Sequence, residues 1–228
     1  MSLALTSDPV PPSGPSDPSV TPVRSLSETL AALGERVAPL TLARERILPV
    51  PDAVAHLFPD GGLVRGRVLS CAGSAATSFA CSLLAPTVAA GGWVAVIDLP
   101  TLGLDAASEL GVPLERVVAV DTGGDPRRWI EVVAAAADGF DVLLVRVPAE
   151  LPAAMVRKLA TRIQQQGVVV VVLGEAGILP CDGELHADGR PWEGIGDGCG
   201  HLRRRTLQVS AAGRRSPGVR RGEFAVPA

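Results

Sequence analysis

The sequence predicts an α/β protein: a mostly parallel central sheet flanked by helices, with an N-terminal helix and antiparallel strands at the C-terminal end. Three observations carry this. Short apolar runs alternate with stretches of helical periodicity between residues 67 and 173. Two of those runs, VLLVRV and VVVVVL, are almost continuously apolar, as strands buried on both faces are. After Leu173 the helical periodicity stops, and two strand-like runs flank a glycine-containing turn.

Composition bounds the rest. The chain has 228 residues, 47% of them hydrophobic, enough for one sizeable core and not for a second full domain. Net charge is −3, so the whole molecule is no polycation. Of its 21 basic residues, Lys158 is the sole lysine. No apolar run reaches the roughly 18 residues that a bilayer span requires. The first residues, MSLALTSDPVPPSG, lack a basic region followed by an apolar one, so a secretory signal is not expected. The four cysteines, at 71, 81, 181 and 199, are widely spread. With this much core they need not form disulfides, which predicts a reducing, cytoplasmic location.

The elements follow in order. Residues 1–24 hold six prolines among Ser and Asp and predict a disordered tail. Ser25-Leu-Ser-Glu28 is a capping box, and it opens a helix to about Val37 with Leu26, Leu30 and Leu33 on one stripe. A second short helix is expected near 52–57, closing an N-terminal helical segment, 25–58. The core, 59–180, offers strands at 67–72, 93–98, 117–120, 141–147 and 168–173. Helices are expected at 77–90, 104–110, 125–138 and 152–166. The last of these sets Met155, Val156, Leu159, Ala160 and Ile163 on one face. Pro86 falls inside the first and should kink or end it. The final unit, 181–228, is expected to be a long Gly-rich loop followed by Arg-rich strands.

The stretch CAGSAATSFAC, residues 71–81, has the setting of a phosphate-binding loop: strand, glycine turn, helix. Such a loop needs glycines that let backbone N–H groups surround phosphates, a lysine that reaches them, and a hydroxyl that holds Mg²⁺. Gly73 stands as the first glycine. The second falls on Ser78, the lysine on Phe79 and the hydroxyl on Ala80. A later strand of such an enzyme ends in an aspartate that organises Mg²⁺. Here Arg146 closes the run from Asp141, and a cation there repels a divalent metal. Arg146 could bind a bare phosphate, but a surface arginine at a strand end is the simpler reading. Phe79 is expected in the core. No catalytic residue and no bound cofactor are expected.

GGLVRGR before the loop strand, the ID ending the next strand, the LD and LGV after it, and the later DVLLV resemble the core of RecA recombinases. The resemblance spans residues 60–173, half the chain, and implies a RecA-like sheet. It also implies that the family's catalytic glutamate aligns with Pro100 and that the first DNA-binding loop has shrunk to PAELP. The resemblance further implies that RecA's C-terminal domain has no counterpart here. The WEGIGDGCGH segment and the arginine-rich end are similar to ImuA-type proteins of actinobacteria. That resemblance implies a non-enzymatic role in damage-induced mutagenesis. The partners it implies are an ImuB-type protein, a catalytically inactive relative of Y-family polymerases, and an error-prone replicative-type DNA polymerase. Two alternatives stay open: a loop that still binds nucleotide through backbone amides, and a SulA-type inhibitor of cell division.

Arg203, Arg204, Arg205, Arg214, Arg215, Arg220 and Arg221 lie within 19 residues that hold no acid. Arginine forks pair with phosphate or carboxylate, so this set is the candidate docking surface. Few aromatics accompany it, which favours a protein partner over single-stranded DNA and leaves phosphate contacts as an accessory. The competing reading is a solvated strand pair. Self-association through the N-terminal helix is a further expectation drawn from the RecA resemblance. Cys181, His186, Cys199 and His201 lie within 21 residues, but a one-residue gap between the last two strains tetrahedral ligation, so no metal is expected. Asp98 and Asp105 flank a loop where an open parallel sheet could hold a site; capping and loop solvation explain them more simply.

Overall fold

The computed structural model describes residues 47–196, 199–213 and 218–227. The expected tail, the helix from Ser25 and the arginines at 214 and 215 lie outside the described residues. A small antiparallel pair, β1 (Ile47–Leu48) and β2 (Leu63–Val64), brackets a one-turn helix, α1 (Asp52–Ala55). The main sheet begins with β3 (Val68–Ala72), α2 (Ala76–Ala89), β4 (Val94–Ile97) and α3 (Leu104–Glu109). It continues with β5 (Val117–Val120), α4 (Pro126–Ala136), β6 (Val142–Val145), α5 (Ala153–Gln166) and β7 (Val169–Leu173). The last strands are β8 (Gly183–Gly189), β9 (Glu193–Gly196), β10 (Cys199–Gly213) and β11 (Arg220–Pro227).

The main sheet is ordered β11-β10-β8-β3-β7-β6-β4-β5, with β9 pairing to β10 outside that path. The six strands from β8 to β5 are mutually parallel, while β9, β10 and β11 are antiparallel additions. The α/β class, helices on both faces and antiparallel C-terminal strands are as the sequence predicts.

Two-residue alternation divides the strands between two cores. Val142, Leu144, Val169 and Val171 face Phe79, Leu83 and Val88 of α2, with α1 and α3 in the same layer. Leu143, Val145, Val170 and Val172 face Trp129 and Val133 of α4 and Leu159 and Ile163 of α5. Every residue of β6 and β7 is buried, which is why those runs carry no polar residue.

Local chemistry sets the boundaries. The Asp125 carboxylate accepts from the Arg127 and Arg128 N–H groups and caps α4, with Pro126 in the first turn. Gly167, in the left-handed region at φ 72°, ends α5. Two arginines of the GLVRGR lead-in fix where strands begin. Arg65 donates to Asp141 at 2.7 Å, and the other oxygen of that carboxylate accepts from the Trp93 N–H. Arg67 donates to Asp182 at 2.5 Å, and Asp182 also accepts from the Val68 N–H.

Two expectations are corrected. Pro86 does not end α2: the helix runs on to Ala89, because Leu83, Leu84, Thr87 and Val88 are buried along it and hold its last turn. The stretch after Leu173 is not one long loop. β8 pairs in parallel with β3, and β9 pairs with the start of β10. In β8, Leu185 and Ala187 are buried while Glu184, His186 and Asp188 are exposed. Among the described residues the Glu184, His186 and Asp188 side of β8 is exposed, so its polar alternation marks a half-solvated strand.

Candidate functional site

The turn between β3 and α2 sits at the carboxyl ends of the parallel strands, where an open α/β sheet offers a ligand crevice. A cleft of about 570 Å³ lies there, lined by Gly73, Thr77, Arg146, Pro148, Gly174 and Glu175 among others. The turn and helix beside it differ from a phosphate cradle in three ways.

The first is the helix. Phe79, in the lysine position, is fully buried and meets Phe224 of β11 edge to face, with ring centroids 6.2 Å apart. Ala80, in the hydroxyl position, is also fully buried. Ser78 is half-buried, and its carbonyl accepts from the Ser82 hydroxyl. Neither Phe79 nor Ala80 can face a ligand in the cleft without α2 turning about its axis.

The second is Gly73. Its φ of +107° favours glycine, and a Cβ there would collide with the Ala187 carbonyl of β8. The turn therefore lies directly on β8. The Ala75 N–H donates to the Ala187 carbonyl at 2.9 Å.

The third is Asp188, which the sequence reading passed over. Its Oδ1 accepts from the Ser74 N–H at 2.9 Å and from the Ser74 hydroxyl at 3.0 Å. The Gly189 N–H in turn donates to the Ser74 hydroxyl oxygen at 3.2 Å. Asp188 Oδ2 lies 2.9 Å from His186 Nε2. The Ser74 N–H, then His186 and the Ser74 hydroxyl, hold the Asp188 carboxyl down to about 2.

The remaining candidates separate. Arg146 is exposed at the end of β6, on the cleft wall, and its N–H donates to the Ile97 carbonyl. Pro100 is exposed beyond β4. Asp98 neither caps a helix nor sits in a solvated loop. At φ 55° it accepts from the Thr122 N–H at 2.7 Å and from the Thr122 hydroxyl at 2.5 Å, so it ties the ends of β4 and β5. Asp105 lies in the first turn of α3. His186 is committed to Asp188, His201 is exposed on β10, Cys181 is half-buried before β8, and the Cys199 side chain lies outside the described residues. Among the described residues, no group of three or more His, Cys, Asp or Glu side chains could hold a metal ion. Burial pushes the Cys71 thiol up to about 12 and the Cys81 thiol to about 11, so neither is a nucleophile near neutral pH.

The arginine set resolves into different jobs. β10 is long, and its first residues pair only with β9, forming a two-stranded ribbon. Between the pairs Gly200–Ile195 and Arg204–Glu193 the register shifts, so His201, Leu202 and Arg203 oppose Gly194 alone. All three bulged residues are exposed. Arg204 pairs with Glu193 at 2.6 Å. Arg205 donates to the Arg190 carbonyl at 2.8 Å, and its guanidinium lies 5.8 Å from the Trp192 ring centre. Arg220 donates to the His56 carbonyl at 3.0 Å, pinning the end of α1 to β11. Folding thus supplies Arg204 of this set with an acid, Glu193, while Glu223, just past the linear window, pairs with Arg190 at 3.4 Å. Among the described residues of the set, Arg203 and Arg221 are the guanidinium groups with neither an ion pair nor a hydrogen bond. Trp192, beside Arg205, and Leu202, next to Arg203 in the chain, are 36% and 40% exposed and add apolar surface.

No helix among the described residues is long and apolar enough to cross a membrane. The family model described as the MT3502 N-terminal domain matches residues 56–177. The uncharacterized protein Rv3395c of Mycobacterium tuberculosis is 32% identical over 150 residues, which cover 64% of this chain and 70% of that protein. The family match takes in the turn at Gly73, the helix carrying Phe79 and the strand ending at Arg146, and stops before Asp188 and the ribbon. With more than half its length inside that match, this chain belongs to the MT3502 N-terminal domain family.

Proposed function

We propose that this protein is a RecA-like, non-catalytic adaptor in DNA-damage-induced mutagenesis, joining an ImuB-type protein and an error-prone replicative-type DNA polymerase. The observation that carries the non-catalytic part is Phe79. The residue in the place of the phosphate-gripping lysine is locked in the core against Phe224. Arg146 on the cleft wall supports it, because a cation there opposes Mg²⁺. The order of short motifs supports the RecA-like part, and a mycobacterial relative fits the actinobacterial setting of the ImuA resemblance.

The docking surface is the β9–β10 ribbon with the adjoining edge of β11. On the ribbon Arg203 offers uncompensated charge, and Trp192 and Leu202 offer apolar contact; Arg221 stands apart, opposite Ser210, seven residues along β10 from Arg203. Glu193 and Glu223 neutralise neighbouring arginines, which suits a protein carrying carboxylates beside apolar residues better than a run of phosphates.

Affinity purification of the tagged full chain from DNA-damaged cells tests the proposal. Recovery of the ImuB-type protein and the polymerase is expected. Recovery of the division GTPase in their place would overturn it in favour of the SulA-type alternative. Arg203→Ala should weaken that recovery while circular dichroism stays unchanged; unchanged recovery would remove the ribbon as the docking surface. A nucleotide that binds would announce itself in thermal unfolding, since ligand at 100 times its Kd stabilises a fold by about 2.7 kcal/mol. No shift is expected with ATP or ADP and Mg²⁺.

A further inference from the structure

A loop that had only lost its ligand would leave its N–H donors facing water. The β3–α2 turn does not. The Ser74 N–H and hydroxyl both point at one carboxylate oxygen of Asp188, and the Ala75 N–H is taken by the Ala187 carbonyl. The link also runs backwards, from the Gly189 N–H to the Ser74 oxygen. Three residues of β8 therefore grip the turn from one side.

Asp188 is also two residues from the ribbon's base. The Arg190 N–H donates to the Thr206 carbonyl at 2.9 Å, and the Arg190 carbonyl accepts from Arg205, which stacks beside Trp192. A continuous line of bonded groups thus runs from the turn, through Asp188 and Arg190, to the start of the ribbon. β8 pairs with β3 no further than Ala72 and His186, while its other edge stays paired with β10 up to Gly189, opposite Leu207.

We propose that Asp188 is a built-in anion for the β3–α2 turn, its carboxylate engaging the turn's donors and thereby positioning the β9–β10 ribbon without any ligand. The proposal does not depend on what the ribbon binds, so it stands or falls apart from the adaptor reading. Gly73 serves the same contact, because any larger residue would push the turn off β8. The depressed acidity of Asp188 agrees with a carboxylate held in its charged form by these donors.

The test compares the full-length wild type with Asp188→Ala and Asp188→Asn by hydrogen exchange and thermal unfolding. Asp188→Ala should raise amide exchange by about tenfold at residues 189–196 and 199–206, with β6 and β7 unchanged. Added acetate or inorganic phosphate should slow that exchange and raise the unfolding midpoint of Asp188→Ala, relative to sodium chloride at equal ionic strength. The wild type should respond to neither anion. Asp188→Asn, which keeps the shape and loses the charge, should fall between. Wild-type exchange in the ribbon of Asp188→Ala would overturn the proposal. Faster exchange with no response to either anion would also overturn it, since any lost contact would do as much. Should Asp188→Ala fail to fold, Ser74→Ala removes the hydroxyl from the other partner. Faster ribbon exchange is then expected, and unchanged exchange counts against the proposal.

Discussion

Replacing Phe79 tests whether the loop's lost chemistry has become part of the core. The side chain is fully buried, and its ring meets Phe224 edge to face. Truncation to alanine returns about 150 Å² of apolar surface to the balance, which at about 25 cal/mol/Å² is roughly 4 kcal/mol. Core Phe→Ala changes cost about 3–5 kcal/mol by the same reasoning with the cavity included. Domains are stable by about 5–15 kcal/mol in total, so this one change removes a large share. With an m-value of about 2 kcal/mol/M, the urea midpoint should fall by about 2 M. Phe224→Ala in a double-mutant cycle should return a coupling of about 0.5–1.5 kcal/mol for the ring pair itself. Phe79→Lys with Ala80→Thr rebuilds the missing pair of residues on paper. In the fold it buries an unpaired ammonium and crowds a site with no exposed atom, so the variant should unfold at lower urea than Phe79→Ala and hydrolyse no ATP. A double variant with the wild-type midpoint that turns over ATP would refute the reasoning outright.

Gly73→Ala combines a strained φ with a collision at the Ala187 carbonyl, so it should cost more than about 1 kcal/mol and lower the melting midpoint by several degrees. Asp141→Ala leaves Arg65 half-buried beside an empty place and takes an acceptor from Trp93; about 3 kcal/mol of stability should go, measured by urea unfolding. Asp188 sets an acid limit. Its folded acidity, about 2, lies below the ordinary 3.8, so its carboxylate favours the fold fully above about pH 4 and loses that effect as pH falls towards 2. The stability gap between wild type and Asp188→Asn should therefore be level near neutrality and close between pH 4 and 2. A gap that widens on acidification would have the wrong sign.

Sequence legibility followed burial. β4, β6 and β7 lie between two helical layers, so their runs are apolar throughout and readable in isolation. α5 was readable because Val156, Leu159 and Ile163 recur at helical spacing on one buried face. β8 was missed because one of its faces is solvated: Glu184, His186 and Asp188 dilute the apolar signal, and the clue was the alternation of Leu185 and Ala187 between them. The Asp188–Ser74 contact was unreadable for a different reason. Its partners are 114 positions apart, and only the parallel register of β3 with β8 brings them together. The arginine set was visible as composition, yet its division of labour was not. Arg220 secures α1 and Arg205 secures the ribbon's base, and both roles depend on carbonyls supplied by distant segments.

On the proposed non-catalytic reading, two separate and independent features of this fold oppose a nucleotide. Phe79 faces the core from α2, so a lysine there could not reach the cleft without disrupting packing against Phe224. Asp188 approaches from β8 and takes both Ser74 donors, and its negative charge would repel a phosphate brought to the turn. Removing either leaves the other. Removing Asp188 alone frees donors without supplying a cation beyond Arg146, so a small anion could settle at the turn, but a Mg²⁺-triphosphate would still find an arginine where its metal should be held. The glycine that first marks the turn as a phosphate loop thus serves a contact between the turn and β8 of the same chain.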